Sequence, residues 1–103
     1  MGEGQGRPRT VTYQVVFRPS AIRDLTKLPA EVRQQVAERV DVLAANPRPP
    51  AAQQLKGKLK GMWRIRVRDY RVGYQVDDAA LLVTVRAIGH RGGFYELALR
   101  RGL

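Results

Sequence analysis

The chain has 103 residues, 44% of them hydrophobic, and this length and composition predict a single domain with a modest apolar core. It contains no cysteine, which excludes disulfides, thiolate zinc sites and a thiol nucleophile. Its longest apolar runs, such as Ala79 to Val83, are too short to span a bilayer, and residues 1–10 lack the apolar segment of a secretory signal. We therefore expect a cytoplasmic protein that makes no use of a membrane.

The charge balance is strongly basic and unevenly distributed. Nineteen Lys and Arg against nine Asp and Glu give a net charge of +10. One stretch contains seven basic residues and a single acid, Asp69: Lys56, Lys58, Lys60, Arg64, Arg66, Arg68 and Arg71. Such a patch attracts polyanions through counterion release, and nucleic acid is the commonest of them. An acidic protein partner or a merely solvated basic surface would explain the same composition, so charge alone leaves three interpretations open.

The first residues are predicted as an arm followed by a strand. Residues 1–10 carry three Gly, one Pro and two Arg without an apolar period, which is typical of a flexible arm, so the domain is assigned to residues 11–103. An alternation of apolar and polar side chains then predicts a strand with one buried face. Its apolar members are Val11, Tyr13, Val15 and Phe17.

Two helices are predicted next. Pro19 and Ser20 are start signals for the first, whose apolar positions Ile22, Leu25 and Leu28 keep a helical spacing. After Pro29, a second helix ending near Asn46 and Pro47 has one apolar face, formed by Val32, Val36, Val40 and Leu43. The short connection between them predicts an antiparallel helical hairpin.

Beyond the connector of residues 47–52 the apolar period becomes two. The predicted strands carry Trp63, Ile65 and Val67, then Val72, Tyr74 and Val76, and finally the apolar run Leu81 to Ile88. The order is β-α-α-β-β-β, and the tail from Phe94 to Arg101 is compatible with a short C-terminal helix. The fold class is therefore α+β: an antiparallel β-sheet with an N-terminal helical hairpin packed on one face.

The same alternation predicts a basic sheet face. Side chains two apart on a strand share a face, so if Trp63 faces the helices its neighbours Arg64, Arg66 and Arg68 point away from them, and Arg71 joins them from the next strand. Like charges side by side across strands are unfavourable, so folding does not explain the arrangement. A polyanionic ligand does.

A Gly-rich bend after the last strand, Gly89 to Tyr95, holds three more candidates. It contains the only histidine, His90, together with Arg91 and Tyr95. A lone histidine is more often structural than catalytic, an isolated tyrosine is more often a surface aromatic, and the glycines fit turn geometry. Each residue is therefore informative only in combination with the basic face.

In combination, these fragments resemble the toxins of the RelE/ParE superfamily from Tyr13 to about Tyr95. The fragments that carry the resemblance are YQVVF (Tyr13 to Phe17), Ala21 to Pro29 ending KLP, QLKG (Gln54 to Gly57), WRIRVRDYRVGYQVDD (Trp63 to Asp78) and GHRGGFY (Gly89 to Tyr95). The order and spacing of the fragments favour this family more than any one of them does. The resemblance implies a sheet cradled by two N-terminal helices, in agreement with the pattern of the residues.

The superfamily has two functional branches. RelE-like members cleave messenger RNA in the ribosomal A site, whereas ParE-like members inhibit DNA gyrase and lack the nuclease residues. The resemblance implies a RelE-like active site formed by Arg64, Arg66, Arg71, Arg91 and Tyr95. The first two positions are lysine in the best-known members, and because arginine stays protonated, neither arginine here is a proton acceptor.

The resemblance also implies a mechanism without metal or cofactor. The RNA 2′-hydroxyl attacks the adjacent phosphate and leaves a 2′,3′-cyclic phosphate and a 5′-hydroxyl. Arg71 and Arg91 would stabilise the phosphorane, and Arg64 and Arg66 would hold substrate phosphates. The surrounding positive charge would favour the phenolate of Tyr95, the leading candidate for general base.

The remaining assignments are a second candidate and a set of positioning contacts. His90 is a candidate for the general acid because histidine titrates near neutrality. The further RNA contacts expected are Lys56, Lys58, Lys60 and Arg68. The expected partners are messenger RNA in the ribosomal A site and a cognate antitoxin with an acidic toxin-binding segment. The alternatives are a ParE-like gyrase inhibitor and a nucleic-acid-binding module without catalysis.

Overall fold

The computed structural model describes residues 12–102, which form a five-stranded sheet and three α-helices. In chain order these are β1 (Gln14–Phe17), α1 (Pro19–Thr26), α2 (Ala30–Val42), β2 (Gln53–Gln54), a 3₁₀ turn (Gly57–Leu59), β3 (Trp63–Val67), β4 (Tyr70–Asp77), β5 (Leu82–His90) and α3 (Phe94–Arg100). The predicted arm of residues 1–10 lies outside the described residues, as do Val11 and Leu103. None of the described helices is long and apolar enough to cross a membrane.

The sheet has the order β1-β5-β4-β3-β2, which confirms the predicted α+β class with two differences. β1 pairs in parallel with β5, Gln14 lying opposite Leu82, whereas the other neighbours are antiparallel. The short polar strand β2 was not predicted. Alternation determines which side chains share a face, but it contains no information on which strand is the neighbour or in which direction it runs.

Both N-terminal helices pack on one face of the sheet. Val32, Val36 and Val40 of α2 are buried there, as predicted. In α1 the prediction was wrong for Ile22, which is 48% exposed, while its neighbour Ala21 is fully buried. A small side chain at the contact lets α1 lie close against β5, and a larger residue at that position would hold the helix away from the strand.

Trp63 lies on the helix side of β3 with Ile65 and Val67, as the alternation predicts. It is only half-buried, because it lies where β3 pairs with β2 near the edge of the sheet. The Arg48 guanidinium covers the exposed part of the indole at 5.5 Å from the ring centroid and forms an ion pair with Asp78 at 2.8 Å. Because these apolar side chains of β3 face the helices, Arg64 and Arg66 between them face the opposite side of the sheet.

A second, smaller core on the opposite face of the sheet was not predicted. It consists of Leu55, Leu59, Met62, Ala87, Phe94 and Ala98. Through it, α3 and the 3₁₀ turn pack on the face that carries the arginines. Gly73 of β4 leaves the space for this packing: a Cβ there would lie 2.7 Å from Phe94 Cζ and 2.9 Å from Met62 Cε.

We expect Gly73→Ala to reduce the free energy of unfolding by about 1–3 kcal/mol, the usual cost of adding a methyl group to a packed core. The buried Phe94 ring has to move to accept the methyl group. The measurement is urea denaturation, with Gly92→Ala as the matched control. A methyl group at Gly92 has only an ordinary contact with His90 Nδ1 at 3.7 Å, so a change within about 0.5 kcal/mol is expected. Equal losses in the two variants would contradict this packing argument.

The far end of α3 is fastened to α1 and β5. The Asp24 carboxylate accepts hydrogen bonds from both Nη atoms of Arg101 at 2.7 Å and from the Ile88 N–H at 3.0 Å. Arg101 Nη1 also donates to the Arg86 carbonyl at 3.2 Å. The hydrogen bonds to Asp24 raise the pKa of Arg101 above its ordinary value. The helix is thus fixed by Phe94 at its first residue and by Arg101 just after its last.

Candidate active site

The strand register places the arginines of β3 and β4 side by side on the face opposite the N-terminal helices. Arg66 lies directly opposite Arg71, and Arg64 lies opposite Gly73. Directly opposed side chains on one face have Cβ atoms about 4.5–5.5 Å apart, so Arg66 and Arg71 are adjacent like charges. We call Arg64, Arg66, Arg71, Arg91 and Tyr95 the arginine–tyrosine cluster.

Arg71 lies at the centre of this cluster. Its Nη1 donates to the Tyr70 carbonyl at 3.1 Å and to the Arg68 carbonyl at 3.5 Å, which holds the guanidinium near the turn between β3 and β4. Partial burial lowers the pKa of Arg71, as do the positive charges of Arg66, Arg64 and Arg91, whereas Tyr95 raises it. The register places Arg66 directly beside Arg71 and Arg64 on the same face of the sheet. Of the five residues that the resemblance implies, the register brings together Arg64, Arg66 and Arg71, and Arg91 and Tyr95 join them as groups whose charges act on Arg71.

Arg64 differs from the other members in being buried. Its residue is only 5% exposed, and its Nε has no hydrogen-bond partner among the described residues. A buried polar group without a partner costs free energy, so such groups are rare in stable folds. The side chain is held in this position by the fold, ready to donate to a group that the protein itself does not supply.

Tyr95 reaches the cluster from the first turn of α3 and is 40% exposed. Its ring packs edge-on against Phe94, with the ring centroids 5.1 Å apart. Phe94 in turn sits directly over Gly89, where an added Cβ would be 3.4 Å from Phe94 Cα. Gly89 therefore provides room for α3 to approach the sheet, a role that the turn interpretation of this glycine did not foresee.

No acidic residue in the part of the chain that the structure describes forms an ion pair with the cluster. The ion pairs among residues 12–102 join Arg48 to Asp78, Arg68 to Glu31 and Arg101 to Asp24, and none includes a cluster arginine. The same part of the chain contains no group of three His, Cys, Asp or Glu side chains that could hold a metal ion. The concentrated positive charge is consequently available to an anionic ligand.

The structure does not bring His90 into the cluster. His90 is the cross-strand partner of Tyr70, and its ring meets the Tyr70 ring edge-on at 5.5 Å. Tyr70 packs against the helix-side core, so both rings lie on the helix side of the sheet. His90 Nδ1 accepts a hydrogen bond from the Gly92 N–H at 3.3 Å. This placement argues against His90 as a group that acts with Arg71.

Arg68 was predicted on the basic face, and this prediction was wrong. Arg68 lies in the turn between β3 and β4 with a positive φ of 55°, so the strand alternation ends before it. Its Nη1 is 3.7 Å from Glu31 Oε1 at the start of α2. The guanidinium therefore points to the helix side.

The three predicted lysine contacts lie in and beside the 3₁₀ turn. Lys56, Lys58 and Lys60 are all exposed, while Leu59 between them is buried against the second core. Since that core lies on the arginine-bearing face, the lysines border this face next to β2 and α3. They add positive charge around the cluster without entering its centre.

Comparisons with known proteins place the chain among toxins. A family model for the ParE toxin of type II toxin–antitoxin systems, parDE, matches residues 15–93. A putative RelE-like toxin of Escherichia coli is 37% identical over 86% of this chain and 96% of its own length. The chain belongs to the RelE/ParE superfamily of type II toxins. Toxin RelE of Mycobacterium tuberculosis is 31% identical over 82% of this chain and 88% of its own length.

Solved structures of this superfamily share the fold. The toxin–antitoxin complex RelBE2 of Mycobacterium tuberculosis matches with a TM-score of 0.73 and 32% identity, over 81% of this chain and 95% of the matched chain. The intact RelBE toxin–antitoxin complex of Escherichia coli matches with a TM-score of 0.66 and 30% identity, over 76% and 95%. This chain is thus a toxin of a type II toxin–antitoxin system with a RelE-like fold.

Proposed function

We propose that this toxin is a metal-independent endoribonuclease that cleaves messenger RNA, as implied for the RelE-like branch. The observation that carries the proposal is the arginine–tyrosine cluster, in which Arg66 lies opposite Arg71 and no cluster arginine forms an ion pair with an acidic residue among residues 12–102. Folding gains nothing from this repulsion. The same positive charges would stabilise the transition state of phosphodiester cleavage, because the phosphate group carries additional negative charge in that state.

The proposed roles follow from position. Tyr95 removes the proton of the 2′-hydroxyl, whose oxygen then bonds to the phosphorus as the bond to the 5′-oxygen breaks. Arg71 and Arg91 stabilise the negative charge on the phosphorane oxygens and on the departing 5′-oxygen, which takes up a proton from water. Arg64 and Arg66 hold the substrate phosphates. His90, on the opposite face, has no part in these steps.

Two assays on the induced protein test the proposal. Primer extension on translated messages should reveal new ends within coding regions, and the downstream fragments should accept label from polynucleotide kinase without phosphatase treatment, since they carry a 5′-hydroxyl. Growth inhibition without new RNA ends would refute the nuclease.

A ParE-like gyrase inhibitor is the second candidate, because the matching family model is the one for ParE toxins. The discriminating measurement is a gyrase supercoiling assay with the purified toxin. Under the nuclease proposal gyrase keeps its activity. Under the alternative gyrase is inhibited, and the cluster residues are dispensable for that inhibition. A module that only binds nucleic acid would show strong salt dependence with neither effect.

We further propose a cytoplasmic protein that acts on messenger RNA in the ribosomal A site and is held inactive by an antitoxin. The matched complexes of Mycobacterium tuberculosis and Escherichia coli are toxin–antitoxin complexes, which supports such a partner here. An acidic toxin-binding segment would complement the net charge of +10. Co-expression with a cognate antitoxin should restore growth and yield a complex that copurifies.

The lysines around the 3₁₀ turn are expected to position the RNA and not to catalyse. Changing Lys56, Lys58 and Lys60 to Gln should reduce the slope of log affinity against log salt by about 2, since each lost single-strand phosphate contact contributes about 0.7. Single-turnover cleavage at saturating RNA should be unchanged. Lys27→Gln, at the end of α1, is the control and should leave the slope unaltered. Cleavage lost with binding intact would place these lysines within the active site.

A further inference from the structure

A groove of about 430 Å³ lies at the open edge of β3, beside the arginine–tyrosine cluster. The two-residue strand β2 pairs only with Trp63 and Arg64, so no strand among residues 12–102 lies beside the edge of β3 from Ile65 onward. Arg64, Arg66 and Gln53 line the groove from the sheet, the segment Pro50–Ala52 lines it from the connector, and Arg39 lines it from α2. The cluster therefore continues around the edge of the sheet towards the helices.

The lining of this groove has the chemistry of a nucleotide site. Three of its lining residues are arginines, whose forked donors match phosphate oxygens, and none of the described lining residues is acidic. Glu38, next to Arg39 in sequence, accepts instead from Gln34 Nε2 at 3.4 Å. The wall of Pro50, Ala51 and Ala52 offers an apolar surface to a ribose or base. The volume lies within the range of about 300–1,000 Å³ typical of small-molecule sites.

The buried side chain of Arg64 points independently to a ligand here. It lines the groove, it is more than nine-tenths buried, and its Nε has no hydrogen-bond partner among the described residues. A buried guanidinium with an unpaired N–H destabilises the fold unless a bound anion accepts that hydrogen bond. Arg64 is thus shared between the cluster on one side and the groove on the other.

We propose that this groove binds the nucleotide adjacent to the reacting phosphodiester, with Arg39 holding its phosphate. The RNA strand crosses the arginine-bearing face at Arg71, passes Arg66 at the sheet edge and enters the groove against Pro50–Ala52. Arg39 is a binding residue in this arrangement and does not touch the reacting atoms. This inference rests on the proposed function for the identity of the strand as RNA, but binding in the groove does not require cleavage.

The test measures binding with RNA that cannot be cut. Oligonucleotides of two to six residues carry a 2′-deoxy sugar at the reacting position and are extended one nucleotide at a time in the 5′ or the 3′ direction. Fluorescence anisotropy gives their affinities for the wild-type toxin and for Arg39→Gln. In the wild-type protein one added nucleotide, on one side only, should raise the affinity about tenfold, the value of one charged hydrogen bond. In Arg39→Gln this step should vanish while shorter oligonucleotides bind as before.

The controls separate a local contact from a general charge effect. Arg23→Gln removes the same charge from the exposed side of α1 and should retain the step. Arg39→Lys keeps the positive charge but lacks the paired guanidinium donors, so it should retain only part of the gain in affinity. All three variants should melt at the wild-type temperature, because Arg23 and Arg39 are exposed.

The outcomes distinguish this inference from the nuclease proposal. A step that persists in Arg39→Gln, or a loss of equal size at every length, overturns the groove site and leaves the nuclease untouched. A step that depends on Arg39 in a protein that cuts no RNA supports the groove and refutes the nuclease. Failure of the wild-type toxin to bind any of the oligonucleotides overturns the inference.

Discussion

Tyr95→Phe is expected to lower the rate of RNA cleavage by about 10²–10⁴-fold, the usual contribution of general acid–base catalysis. The substitution removes only the hydroxyl. The ring keeps its edge-on contact with Phe94, and α3 keeps its anchors at Phe94 and Arg101, so the fold should be retained. Growth inhibition should disappear while the complex with the antitoxin still forms.

The measurement is single-turnover cleavage at saturating RNA, which separates chemistry from binding. Tyr70→Phe is a matched control, since it removes a hydroxyl from a half-buried tyrosine on the helix side of the sheet. It should leave the rate unchanged, and so should His90→Gln. A loss below tenfold for Tyr95→Phe would argue against Tyr95 as the base. A large loss for His90→Gln would show that the two faces of the sheet have been assigned wrongly.

The faces of β3 and β4 were predictable because a strand has a period of two imposed by its covalent geometry. Once Trp63 and Ile65 are assigned to the core, Arg64 and Arg66 have only one direction to point. The position of His90 followed from the same rule. Gly89 lies on the face of Arg71, so the next residue of the strand, His90, lies on the other face. The sequence groups His90 with the Gly-rich bend, but it is the last residue of β5 and follows the alternation of that strand.

Other features depend on contacts distant in sequence, and no local pattern encodes them. Gly73 belongs to a strand, yet its small size matters because of Phe94, which is brought over it by the last helix. Arg68 continues the alternation of Arg64 and Arg66 in sequence but leaves it in structure, since its φ is positive. Arg39 lies on α2, far from the basic stretch along the chain, and only the pairing of β2 with β3 reveals the groove that it lines.

Arg71→Gln is expected to reduce single-turnover cleavage by about 10²–10³-fold, the loss typical of one donor to a developing negative charge. Arg71 is central because it lies opposite Arg66 across the strands, and because the charges of Arg64 and Arg91 also lower its pKa. Arg71→Lys should recover little of the rate, since a single ammonium does not reproduce the forked guanidinium. Arg100→Gln, at the end of α3, removes an equal charge and should have no effect on the rate.

The same variant tests whether the cluster is maintained against folding stability. The pKa of Arg71 is lowered in the folded state, first by partial burial and then by Arg66 and Arg64, so the fold disfavours the charged form. Arginine is charged at every working pH, and this cost is therefore present at all pH values below its folded pKa. Salt screens the repulsion, so the wild-type melting temperature should rise with added salt. The rise should persist in Arg71→Lys and be smaller in Arg71→Gln. An identical salt response in all three proteins would mean that the cluster charges do not oppose folding, and the argument that a polyanion explains their arrangement would lose its basis.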